Sequence, residues 1–560
     1  MFKNFRQKRI NKELNPDEIF LDSRNLPSFD KQQFEGLIEK PINKTSIYVA
    51  AILFLLIGLF FTGRIGFLQL VEGQTLAERS NNNRLSHTII FPVRGIIYDR
   101  NDLELAWNDP DRIYTDQSGL AHILGFVGRP NQTEVDSGKY HSDGLIGKEG
   151  VERIFNSILA GVSGIKIEEV DVAGNVLSDH VLREPESGDS VTLSIDSRLQ
   201  SGFYDIIKEV ASSAGYIGGA GVIMDIKTGE IITLVSYPEF DSNIISKGED
   251  RVAINAYLSD DSNPFLNRVI SGLYAPGSII KPFMAVAALT ENIITPGKQI
   301  VSTGQLVVPN RYNPDNPTIF KDWKAHGAVD MRSALAVSSD VYFYQIGGGF
   351  ENQPGLGINL IEKYLRLFGF GALTDIELPG EVEGVVPNPI WKEKTFGEDW
   401  LLGNTYHTSI GQYGFLVSPI QAVTAMATIV NGGKLLKPII IKAPDDNNAK
   451  FKQLPFKDSD LAVVREGMRQ GVTDARGTAQ AINVSYVKMA AKTGTAEVGV
   501  RNEFINAWMI GFFPYEKPRY AFAVVMERGK SGTLVGGGVV MRRLLDWMNQ
   551  NTPEYFNLNN

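Results

Sequence analysis

Three short polar motifs, in a fixed order, carry the chemistry available to this sequence. Ser278-Ile279-Ile280-Lys281 comes first, Ser338-Ser339-Asp340 second and Lys492-Thr493-Gly494-Thr495 last. Together they supply a hydroxyl nucleophile, an amine to take its proton, a second hydroxyl to relay a proton, and a segment able to bind a carboxylate. Such a set suits acyl transfer through a covalent intermediate. A serine hydroxyl is inert near neutral pH until a neighbour accepts its proton. Lys281 can do so if burial disfavours its ammonium form.

Each motif also recurs elsewhere, so its surroundings decide. The S-x-x-K spacing is repeated at Ser28–Lys31, Ser163–Lys166 and Ser485–Lys488, and K-T-G at Lys227-Thr228-Gly229. Lys227-Thr228-Gly229 joins two apolar runs and reads as a hairpin turn. Ser163 lies in a glycine-rich turn. Ser485–Lys488 lies in an alternating run, where residues three apart point to opposite faces of a strand. Only Ser278 has a helix-like setting. Pro276-Gly277 breaks the chain before it, and the apolar stretch Phe283–Leu289 continues after it. Residues three apart on a helix share a face, so the Ser278 hydroxyl and the Lys281 amine can meet.

The elements that position these motifs form an α+β pattern. An amphipathic helix is expected over Ser197–Val210, strands over Gly221–Ile226 and Glu230–Tyr237, and a helix over Pro419–Asn431. Strand-like runs at Val484–Val498, Asn506–Pro514 and Tyr520–Glu527 precede a last helix at Gly536–Met548. Helices inserted among antiparallel strands predict layers of helix, sheet and helix. Residues 71–189 read as a β-rich spacer of short strands and turns.

Composition narrows the class. The chain has 560 residues, 43% of them apolar, a net charge of −9 and no cysteine. That length suits roughly three domains. The acidic balance argues against nucleic acid as a partner, and the missing cysteines exclude disulfides and thiolate-held zinc. One segment, Ile47–Leu70, is apolar apart from Arg64 and long enough to span a bilayer with that arginine snorkelling. Basic residues Lys3, Arg6, Lys8, Arg9, Lys12 and Lys44 precede it, so the positive-inside rule places the N-terminus in the cytoplasm and the rest outside. The expected organisation is a tail over 1–46, an anchor over 47–70, the spacer over 71–189, the acyl-transfer domain over 190–550 and a tail over 551–560.

Beyond the three motifs, several boxes resemble those of class B penicillin-binding proteins. They are Asn83-Arg84, Pro92–Asn101, Gly147–Glu152, Asn267-Arg268 with Tyr274–Ser278, Ser409–Gln412 and Ser418–Gln421. Lys321-Asp322-Trp323-Lys324-Ala325-His326-Gly327 and the acidic third residue of Ser338-Ser339-Asp340 are similar to the elongation branch, penicillin-binding protein 2. The resemblance implies a single transmembrane helix, a pedestal of the dimerisation type and a serine β-lactamase-like transpeptidase domain. It implies a peptidoglycan D,D-transpeptidase of the bacterial cytoplasmic membrane, inhibited by β-lactams, that cross-links stem peptides through an acyl-enzyme on Ser278.

By the same resemblance, Ser338 relays a proton toward the departing D-alanine and Asp340 holds a lysine. Lys492 supplies positive charge, and Thr493 and Thr495 bind the stem-peptide carboxylate. Gly494 leaves room for an extended substrate along the strand, and the oxyanion hole is the N–H of Ser278 and of Thr495. A SEDS-family membrane glycosyltransferase is the implied partner, and no cofactor is implied. A β-lactamase or β-lactam sensor, a D,D-carboxypeptidase and an inactive scaffold for a membrane polymerase are the alternatives. The sequence departs from the family between Asn108 and Arg112. The family's head insertion is replaced there by Asp109-Pro110-Asp111, whose turn chemistry predicts a tight hairpin. His326 and Trp323 are expected in a cleft loop, outside the catalytic set.

Overall fold

The computed structural model describes residues 44–77, 85–170, 176–310, 313, 315–443 and 449–557. The expected cytoplasmic tail up to residue 43, the Asn83-Arg84 box and the last three residues lie outside the described residues. The chain divides into two compact units, Met1–His87 with Ile167–His180, and Thr88–Lys166 with Val181–Asn560. In the first, a single unbroken helix, Lys44–Leu70, runs through Arg64 and is long and apolar enough to cross a membrane.

The second unit carries the motifs. Its centre is a five-stranded antiparallel sheet of β1 (Gly218–Asp225), β2 (Ile231–Tyr237), β3 (Ala490–Val498), β4 (Phe504–Phe513) and β5 (Tyr520–Lys530), in the order β2-β1-β5-β4-β3. Strands β1, β2, β4 and β5 are largely apolar on both faces because both are covered, and the pleat sorts alternate residues between two cores. Ala521, Ala523 and Val525 of β5 pack into one core with Phe283 and Met284. Phe522, Val524 and Met526 pack into the other with Phe203 and Leu544. The second core is closed by helix α1 (Ser197–Ala214) and the C-terminal helix Gly537–Asn551. The expected helix–sheet–helix layering is therefore present. Lys227-Thr228-Gly229 is the β1–β2 turn, as its setting predicts. The run at Val484–Val498 becomes a strand only from Ala490.

Helix α1 shows how local sequence sets these boundaries. Asp196 caps it by accepting from the N–H groups of Arg198 and Leu199. Gly215, in the left-handed region at φ 71°, ends it.

The described residues within 88–192 mix strands with one-turn helices, so they are less purely β than expected. Strands Ile97–Tyr98, Glu104–Asp109, Asp111–Tyr114 and Val191–Thr192 form one sheet. Asp109 pairs with Asp111 across Pro110, giving the predicted tight hairpin. Among the described residues between Asn108 and Gly144, the helices are Ala121–Leu124 and Gln132–Asp136. Two sequence boxes meet beneath this sheet. Glu152 is fully buried and accepts from Arg94 Nε at 2.6 Å and Arg112 Nε at 2.7 Å. A buried carboxylate persists only with such partners.

Candidate active site

Ser278 lies in a 3-10 turn, Gly277–Ile280, that leads directly into helix α2 (Lys281–Thr290). The turn is pinned on three sides. Gly277 N–H donates to Gly411 O at 2.9 Å, Trp508 Nε1 donates to Ala275 O at 3.0 Å, and Tyr274 bridges to Val417. Gly277 has φ 55°, a conformation disfavoured for side-chain-bearing residues. A Cβ there would stand 2.7 Å from Thr495 O. The turn is thus pressed against strand β3 at Thr495.

Lys281 is fully buried beneath the turn. Its Nζ donates to Ser338 O at 2.8 Å, Ser338 Oγ at 3.3 Å and Asp340 Oδ1 at 2.6 Å. These bonds tie the amine to the second motif. The S-x-x-K spacing therefore connects two motifs as well as two residues.

Ser338 links two helices. It ends α3 (Met331–Val337) in the left-handed conformation, φ 59° and ψ 42°, and Ser339 caps the start of α4 (Asp340–Gly348). The Ser338 hydroxyl also receives Lys492 Nζ at 2.8 Å. One hydroxyl is thus shared by two lysines. Asp340 is the ion-pair partner of buried Lys281.

Lys492 is only 1% exposed. Burial first, and then the neighbouring Lys281, push its amine well below the usual lysine range, while Asp340 pulls the other way. Its Nζ is turned inward onto Ser338 Oγ and Thr493 O, which differs from a charge displayed at the cleft mouth. Thr495 is exposed, and the Thr493 hydroxyl is 2.7 Å from the Thr478 hydroxyl. Gly494 departs from expectation. A Cβ there would meet Ile279 Cγ2 at 2.8 Å and Pro276 O at 3.0 Å. The missing side chain makes room for the Ser278 turn, not for substrate.

Strand β3 is the edge of its sheet. Such an edge can accept an extended peptide as an added strand. Ser409, the first residue of the Ser409–Gln412 box, is fully buried and bonds Phe343 O and Tyr406 O. The part of that box which touches the site is its backbone, through Gly411 O. Two residues outside the expected set also reach the motifs. Asp322 accepts from Ser339 Oγ at 2.9 Å and Val341 N–H at 3.0 Å. Trp323 Nε1 donates to Ser338 O at 3.3 Å. Their only sequence signal was the Lys321–Gly327 box.

A nucleophile turn on an edge strand, with two buried lysines converging on one relay hydroxyl, defines a serine acyltransferase of the penicillin-binding type. Residues 219–546 match the model of the penicillin-binding protein transpeptidase domain, and 107–193 that of the penicillin-binding protein dimerisation domain. The chain is 32% identical to the peptidoglycan D,D-transpeptidase MrdA of Haemophilus influenzae over 467 residues, covering 78% of this chain and 69% of that one. It is similar to Pseudomonas aeruginosa PBP2 solved with WCK 5153, with a TM-score of 0.70 and 32% identity over 83% of this chain and 97% of that one. It also resembles a chain of a peptidoglycan synthase complex that coordinates polymerization and crosslinking, with a TM-score of 0.70 and 26% identity over 90% of this chain and 98% of that one. The chain belongs to the class B penicillin-binding proteins, in the PBP2/MrdA family of peptidoglycan D,D-transpeptidases.

Proposed function

We propose that this protein cross-links peptidoglycan stem peptides during cell-wall elongation through an acyl-enzyme on Ser278. The observation that carries the reading is the Ser338 hydroxyl, held between Lys492 Nζ and Lys281 Nζ beside the Ser278 turn. The donor strand lies along the edge of β3, its terminal carboxylate on the hydroxyls of Thr493 and Thr495. Ser278 Oγ attacks the carbonyl carbon of the penultimate D-alanine, and its proton passes to the lysine–Ser338 cluster. The N–H groups of Ser278 and Thr495 stabilise the tetrahedral oxyanion. Collapse breaks the peptide C–N bond. The cluster returns a proton to the leaving amine, D-alanine departs, and the peptidyl ester remains on Ser278. An acceptor amine then attacks that ester, gives up one proton to the cluster and releases Ser278 as the hydroxyl. A β-lactam carbonyl enters the same first step, but its leaving amine stays tethered.

The site sits outside the bacterial cytoplasmic membrane, with Lys44–Leu70 as a single anchor and the N-terminus in the cytoplasm. The positive charges before that helix support this orientation. The polymerase partner is a SEDS-family membrane glycosyltransferase. With the head replaced by Asp109-Pro110-Asp111, that partner uses the anchor and the pedestal.

The direct test is reconstitution with nascent peptidoglycan strands. Wild type releases D-alanine and forms cross-linked dimers, and Ser278→Ala does neither. Cross-linking by Ser278→Ala would overturn the reading, and rapid turnover of penicillin would reassign the protein as a β-lactamase.

A further inference from the structure

We propose that Asp322 is a positioning residue for acyl transfer: its carboxylate fixes the turn that presents the Ser338 hydroxyl to Lys281 and Lys492. The inference rests on the reading of Ser338 as proton relay and deepens it.

Ser338 holds a left-handed backbone, φ 59° and ψ 42°. A residue with a side chain stays in that region only where its surroundings over-determine it. Here the surroundings are specific. Asp322 Oδ2 accepts three hydrogen bonds, from Ser339 Oγ at 2.9 Å, Val341 N–H at 3.0 Å and Ser302 Oγ at 3.1 Å. Its Oδ1 accepts Trp323 N–H at 2.9 Å. The two groups bonded beyond Ser338, Ser339 and Val341, form the first turn of α4. Fixing them fixes where the chain must leave Ser338.

Trp323 completes the brace from the other side. Its Nε1 donates to Ser338 O, the same carbonyl that receives Lys281 Nζ. The brace is itself anchored. Asp322 N–H donates to Gly304 O at 2.9 Å, and Ser302 ends a strand paired with Gly327–Val329.

The Asp322 side chain is fully buried. Burial alone would raise its carboxyl. The N–H groups of Val341 and Asp340, and then the Lys281 ammonium, outweigh burial and hold it below the ordinary carboxylate range. An ionised acceptor forms stronger bonds than a neutral one. His326 Nε2 stands 3.4 Å from Asp322 Oδ1 without hydrogen-bond alignment, and burial keeps its ring below the usual histidine range. The Asp322 carboxylate bonds Ser302, Trp323, Ser339 and Val341, so it acts on the lysines through the turn.

The test uses the full chain in detergent and a fluorescent penicillin, with saturation kinetics that separate the acylation step from non-covalent affinity. The variants are Asp322→Asn, Ser339→Ala and the pair together. Asparagine keeps the shape, but its amide nitrogen cannot accept a donor. Asp322→Asn is expected to slow the acylation step roughly tenfold or more, because small misplacements of reacting groups cost that much. Affinity should stay near that of wild type. Because both variants break one network, the double variant should be no slower than Asp322→Asn alone. A wild-type acylation step in folded Asp322→Asn overturns the proposal, and so do effects that multiply with those of Ser339→Ala. Should Asp322→Asn not fold, Trp323→Phe decides, since Trp323 is 58% exposed and loses only its Nε1–H. A slower step at unchanged affinity supports the brace, and an unchanged step overturns it. Labelling of Ser278→Ala would instead sink the underlying reading, whatever Asp322 does.

Discussion

Lys492 Nζ lies 2.8 Å from Ser338 Oγ, although 154 residues separate them in the chain. Burial and Lys281 depress the Lys492 amine, so it can be neutral where a free lysine is charged. A neutral amine against a hydroxyl can take a proton through it. The rate of penicillin acylation should therefore rise with pH through a limb centred well below the usual lysine value. Arginine stays protonated, so Lys492→Arg should lose that limb and roughly 100-fold in rate. Stopped-flow acylation across pH measures both. An unchanged limb in Lys492→Arg would remove Lys492 from proton transfer.

Asp340 and Ser338 should rank differently on mutation. Asparagine at 340 can still accept from Lys281 Nζ, now 2.6 Å from Asp340 Oδ1, and loses only charge. Alanine at 338 removes the hydroxyl that both lysines use. Asp340→Asn is expected to keep more of the acylation rate than Ser338→Ala. The reverse order, in variants of equal melting temperature, would contradict the supporting role of Asp340.

Gly494→Ala tests the packing of the nucleophile turn on β3. Its methyl must displace Ile279 or the Pro276 carbonyl, and overpacking of this kind costs about 1–3 kcal/mol. The expected result is a lower melting temperature together with slower acylation, because the displaced turn carries Ser278. Normal acylation by a stable Gly494→Ala would return the glycine to a substrate-clearance role.

Glu239 makes stability depend on pH away from the active site. Its carboxylate accepts Gly119 N–H at 2.6 Å and Ala121 N–H at 3.0 Å. Burial raises its carboxyl to about 7 despite those donors, with Asp241 and Asp205 adding to the rise. A raised folded value means that the folded state holds the proton more tightly. The stabilisation is complete below the free-glutamate value of 4.5 and is lost as pH rises through about 7. Thermal melts should show a falling melting temperature across that window, and Glu239→Gln should flatten the fall. An equally steep fall in Glu239→Gln would place its cause elsewhere.

The sequence reading captured what is local or motif-borne. The motif order singled out Lys281, Ser338 and Lys492, whose side chains meet, and alternation and helical spacing located β4, β5 and α1. The Asp109-Pro110-Asp111 hairpin was legible because three residues with turn chemistry allow little else. What escaped depends on long-range approach. Nothing near Gly494 in the chain signals that Ile279 will fill its missing side chain. The left-handed Ser338 is invisible in a Ser-Ser-Asp triplet, and so is its brace, because Asp322 lies in a separate hairpin. The bonds of the Lys281 amine to Ser338 and Asp340 were hidden for the same reason, because those partners lie 57 and 59 residues further along the chain.

The central claim is that Ser278 becomes acylated. Mass spectrometry of the penicillin-treated full chain, digested to peptides, tests it most directly. The adduct is expected on the peptide that contains Ser278 and should be absent from Ser278→Ala. An adduct on a peptide carrying Ser163 or Ser485, with Ser278 unmodified, would contradict the account.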